Sequence, residues 1–113
     1  MPMIRLIASA AAVLMMLLLS PALRAQNLPA YEAVVADEIS GQKLSLDCVI
    51  AAPVDEATLQ ALAQKVYDDY QGDNYKNVFI MWYLPNYEIG VGAWGLSNFQ
   101  NGDWDVRIMA LQG

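Results

Sequence analysis

The chain has 113 residues, with six basic side chains against twelve acidic ones, one cysteine and no histidine. A net charge of −6 argues against nucleic-acid binding, which needs Lys and Arg to neutralise phosphate, and against docking on anionic membranes. The missing histidine excludes Ser–His and Cys–His nucleophiles and removes the commonest metal ligand, and the lone Cys48 excludes an internal disulfide.

The first segment reads as an export signal spanning residues 1–25. Arg5 supplies positive charge, Leu6 to Leu19 is apolar or small, and Ser20-Pro21-Ala22 breaks the run before a small residue, Ala25. The run is shorter than the ~20 residues that span a bilayer. No Cys follows the cut, which speaks against a lipid anchor. The expectation is one small domain, residues 26–113, periplasmic or secreted and free of the membrane after cleavage. Lys43, Lys65, Lys76 and Arg107 are its four bases against all twelve acids, net −8. Such a charge suits solubility or a cationic partner.

Tyr31 to Ile39, with Val34, Val35 and Ile39, reads as a strand, and Ser40-Gly41-Gln42 as a turn. Lys43 to Ala51 alternates, setting Lys43, Ser45 and Asp47 opposite Leu44, Leu46, Cys48 and Ile50, so the two strands form a hairpin. Cys48 falls on the apolar face and is expected to be a buried, inert thiol. Pro53-Val54-Asp55 opens a helix with Asp55 as N-cap, Glu56 in the first turn and Val54 and Leu59 as a hydrophobic staple. Leu59, Leu62, Ala63, Val66 and Tyr70 form its apolar stripe, and Gly72 ends the run.

Val78 to Leu84 is apolar on both alternating faces, which predicts a central strand covered on both sides. After a turn at Pro85-Asn86, Tyr87 to Leu96 reads as a strand interrupted by Gly90, Gly92 and Gly95. Asn101-Gly102-Asp103 is a turn, and Trp104 to Leu111 the last strand. The fold class is therefore α+β, in the order β-β-α-β-β-β: an antiparallel sheet of about five strands with one helix packed on one face. The expected strand order is 2-1-3-4-5 with antiparallel neighbours throughout. One helix cannot cover five strands, so a partly bare, aromatic sheet face is the expected place for function.

The stretch Val78-Phe79-Ile80-Met81-Trp82-Tyr83-Leu84-Pro85 continuing to Gly90-Val91-Gly92-Ala93-Trp94-Gly95 resembles a recurring motif, V-F-I-x-x-Y-L-P-G-M-x-x-G-x-G-A-W-A, of small exported bacterial α+β domains. Lys43-Leu44-Ser45-Leu46-Asp47 and the helix from Asp55 precede it in matching order, so the resemblance covers most of the domain. Asn86 and Tyr87 replace its Gly-Met, and Gly95 its last Ala. The resemblance implies the shared fold and carries no activity or cofactor.

Carboxylate chemistry needs two acids at a set separation. The pairs Asp37–Glu38 and Asp103–Asp105 are better explained as turn or solvated-edge charge. The clusters Asp68 to Asn74 and Asn101 to Asp105 lack calcium-loop spacing. No catalytic residue, metal ligand or cofactor is therefore assigned. If the Tyr87–Leu96 segment is a strand, Glu88, Gly90, Gly92 and Trp94 share one face and leave a groove ending at Trp94, with Tyr83, Tyr87 and Trp104 lining it. The same glycines fit plain backbone crowding under a packed aromatic.

Three readings follow. The first is a non-enzymatic binding module presenting an aromatic, acidic sheet surface to a protein partner. The second is a small-ligand or glycan receptor built on Tyr83, Tyr87, Trp94, Asn98 and Asn101. A carboxylate hydrolase using Glu88 and Asp105 comes third. Homodimerisation through the bare face is compatible with each.

Overall fold

A computed structural model describes residues 28–109, so the signal segment lies outside the described residues. The strands are β1 (Tyr31–Ile39), β2 (Lys43–Ile50), β3 (Asn77–Tyr83), β4 (Gly95–Gln100) and β5 (Asp103–Ile108), with helix α1 (Glu56–Asp69) between β2 and β3. They form one α+β sheet in the order β1-β2-β3-β4-β5, antiparallel throughout except for the parallel pair β2–β3.

Local chemistry sets the turns. Gln42 N–H donates to the Ile39 carbonyl at 2.9 Å, with Gly41 at φ +74° closing the first hairpin. Asn101 and Gly102, at φ +55° and +82°, form the two-residue β4–β5 turn, the backbone that Asn-Gly pairs accept most readily. At the start of α1 the Asp55 carboxylate accepts from Thr58 N–H at 2.7 Å, and such a cap stabilises a helix by about 1 kcal/mol. The helix ends at Asp69, earlier than Gly72. Gln71 turns left-handed at φ +53° and Gly72 begins a short 3₁₀ turn.

The core lies between α1 and one sheet face. Leu44, Leu46, Cys48 and Ile50 of β2 and Val78, Ile80 and Trp82 of β3 are buried against Leu59, Leu62, Ala63 and Val66. Each fully buried aliphatic side chain contributes about 1.5–3 kcal/mol. Trp82 is satisfied internally: its indole N–H donates to Ser97 Oγ at 2.9 Å. Toward the C-terminal end of α1, Tyr67, Phe99 and Trp104 stack with centroids 4.7, 5.1 and 6.0 Å apart, joining the helix to β4 and β5.

Three expectations are corrected. The order 2-1-3-4-5 fails because β3 pairs directly with β2, Leu44 facing Val78 and Cys48 facing Trp82. The helical crossover brings the chain back parallel beside β2, which gathers both apolar rows under α1. Inserting β1 would have centred a strand bearing Glu32, Asp37 and Glu38, most of which is exposed. The strand expected over Tyr87 to Leu96 begins only at Gly95. Finally, β3 is covered on one face rather than two: Asn77, Phe79 and Met81 are only half-buried.

Candidate functional site

The segment joining β3 to β4 is two successive turns. Tyr87 N–H donates to the Leu84 carbonyl at 2.9 Å, with Pro85 second in the turn, a position that suits its fixed φ. Val91 N–H donates to the Glu88 carbonyl at 3.2 Å, with Gly90 third at φ +90°, a conformation that favours glycine. The alternating face of Glu88, Gly90, Gly92 and Trp94 is therefore not formed.

The predicted site residues separate into several places. Tyr83 is buried, its hydroxyl accepting from Gly90 N–H at 3.2 Å and donating to Met81 Sδ at 3.6 Å. That bond draws the loop toward the end of β3. Tyr87 packs against the core from the loop, and Glu88 is exposed. Gly92 is half-buried. Trp94 belongs to the core at 5% exposure, its N–H bonded to the Trp82 carbonyl at 2.8 Å. Trp104 lies on the helix-covered face, its indole N–H donating to Gln64 Oε1 at 3.1 Å. Tyr83 and Gly90 are thus brought together, whereas Trp94 and Trp104 serve packing.

The face opposite α1 is the bare face expected from a single helix, but the residues on it are ones sequence reasoning passed over. Strand register sets its side chains in rows. Val34, Asp47, Met81, Leu96 and Arg107 form one, and Asp37, Ser45, Phe79, Asn98 and Asp105 the next. Val49 stands beside Tyr83 at one end. Phe79, Met81 and Leu96 make a half-buried apolar strip at the centre. Around it, Lys43 pairs with Asp37 at 2.8 Å and Arg107 with Asp105 at 3.1 Å. Lys43 holds the Asp37 carboxyl below the usual carboxylate range, first by hydrogen bond and then by charge. Asp47 and Asp103 form no ion pair among the described residues, so the surround stays acidic.

Two amides add polarity to this face. Asn77 Oδ1 and Asn98 Oδ1 are buried without a hydrogen-bond partner, and Asn98 sits directly across from Phe79. Such an unmet acceptor costs about 1–3 kcal/mol. The signal for the face was present in the sequence as the outer alternation of β2 and β3. Only the pairing of those strands shows that the residues meet.

Elsewhere the surface is shallow, as in the depression lined by Ala57, Gln60, Ala61, Gln64 and Trp104. No group of three acids or cysteines is placed to hold a metal ion, and no helix is long and apolar enough to cross a membrane, among the described residues. No family model, curated protein or solved structure matches the chain.

Proposed function

We propose that this is an exported, non-enzymatic binding module whose uncovered sheet face engages a positively charged protein partner. One observation carries the reading. A sheet covered on one face ordinarily turns polar residues to the other, yet β2–β3 has α1 on one side only among the described residues, and β3 places Phe79 and Met81 on the other. Leu96 extends that strip onto β4, and Asp47 lies beside Met81. An apolar centre within a charged rim is the usual anatomy of a protein interface, and the uncompensated acids favour a basic partner over a second acidic copy.

The test is affinity capture from an envelope extract of the source cell by the wild-type domain and by Leu96→Lys, whose side chain stands on the open face. Proteins retained by the wild type and lost with the variant support the reading. Equal recovery of every captured protein by both would sink it.

A further inference from the structure

The sheet has two edges, and they are finished differently. Strand β5 is six residues long and exposes Asp103, Asp105 and Arg107, charges that discourage further pairing. Strand β1 is nine residues long, contains neither Pro nor Lys, carries only acidic charges, Glu32, Asp37 and Glu38, and leaves Val34, Val35 and Ile39 at 63%, 50% and 53% exposure. Its register shifts between Val35 and Asp37, and no strand lies beyond it among the described residues. The outward N–H and C=O groups of an edge strand are a template for another chain.

We propose that β1 is a strand-addition site for an extended segment of a partner protein in which Lys or Arg alternates with β-branched residues. The two faces of β1 dictate that pattern. On the helix side a new strand meets Tyr31, Ala33 and Val35; on the open side it meets Glu32, Val34 and Asp37. A strand with apolar residues on one face and cations on the other matches both, because side chains alternate. Lys43 already neutralises Asp37, and the register shift carries Glu38 to the helix side, where the Tyr75 hydroxyl donates to it, so Glu32 is the acid of the open side without a cationic partner among the described residues.

A second copy of this chain fits poorly. Antiparallel pairing brings the copy's own Glu32, Asp37 and Glu38 to an edge that already carries the same three acids, and it supplies no cation for Glu32. Like charges directly across a ladder are destabilising. This edge is separate from the open face, and the inference stands whether or not that face binds anything.

The test uses dye-labelled peptides of about ten residues, the length of a long strand. One alternates Lys and Val, a second alternates Glu and Val, and a third is the Lys–Val peptide with N-methyl groups on alternate amides along one edge. Fluorescence anisotropy gives affinity, and amide NMR shifts give the place. The Lys–Val peptide is expected to bind and shift the resonances of residues 31–39. N-methylation, which removes ladder bonds but no charge, is expected to weaken it roughly tenfold or more. Glu32→Lys, an exposed substitution, is expected to weaken it as well, and the Glu–Val peptide to fail. Equal binding of the N-methylated peptide, shifts confined to the open face, or no binding of the Lys–Val peptide would each overturn the proposal. So would a neutral-pH dimer whose shifts map to β1.

Discussion

The indole of Trp82 and the hydroxyl of Ser97 are both fully buried and joined at 2.9 Å. Ser97→Ala leaves that N–H without an acceptor, and the expected loss is about 1–3 kcal/mol in urea unfolding; an unchanged midpoint would show that the indole finds another partner. Gly72 has a different constraint. A Cβ there would lie 2.3 Å from Cδ2 of Tyr67, inside the ring that stacks on Phe99 and Trp104. Gly72→Ala should therefore cost about 1–3 kcal/mol by overpacking, with the near-ultraviolet circular dichroism of the aromatic trio altered. At Gly95 the approach is gentler, 3.1 Å from Leu59 Cδ2 and 3.2 Å from the Arg107 carbonyl. That proximity gives a physical reason for Gly at this position. At Cys48, burial, with the charge of Asp47 second, pushes the thiol up to about 12.

Asp69 lies in the last turn of α1, where the helix dipole disfavours an anion. It is held there by contacts to another element. The Tyr31 hydroxyl donates to Asp69 Oδ2 at 2.5 Å and Lys65 Nζ approaches the same oxygen at 3.0 Å. Together they keep the carboxyl below its usual range, the tyrosine contributing most. A carboxyl depressed by folding adds stability that is present above its unfolded pKa, about 4, and that is lost as pH falls through the lower folded value. Removing the donor with Tyr31→Phe should move the Asp69 titration, followed by side-chain carboxyl NMR, back toward the ordinary range. A midpoint that stays put would assign the depression to Lys65 instead. This link between β1 and α1 was not legible beforehand, because residues 31 and 69 meet only after the crossover. Periodicity did reveal α1, its Asp55 cap and the inward row of β2, since each depends on neighbours within a turn or two. The open-face strip was half legible: Phe79 and Met81 alternate visibly, but Leu96 joins them only through β4 register. The glycine-bearing segment was misread because Pro85 and Gly90 fit turns as well as an interrupted strand, and apolar content hid the turn chemistry.

At the scale of the molecule, charge restrains two surfaces that would otherwise adhere. Residues 28–109 carry four bases and twelve acids, net −8, while Val34, Val35 and Ile39 stay exposed on the β1 edge beside Glu32, Asp37 and Glu38. The isoelectric point of the full 113-residue sequence, whose net charge is −6, is about 4.2, and proteins near zero net charge lose the repulsion that keeps them apart. As pH falls from neutrality toward that value, the net negative charge shrinks and the penalty on antiparallel β1–β1 pairing fades. Light scattering should therefore report a monomer at neutral pH and a rising mass near pH 4, with thioflavin fluorescence distinguishing strand pairing from loose association. Val35→Lys adds a positive charge to the exposed edge that persists at low pH, and is expected to suppress the rise. If Leu96→Lys suppresses it and Val35→Lys does not, the apolar strip of the open face, rather than the β1 edge, is the surface that charge holds apart.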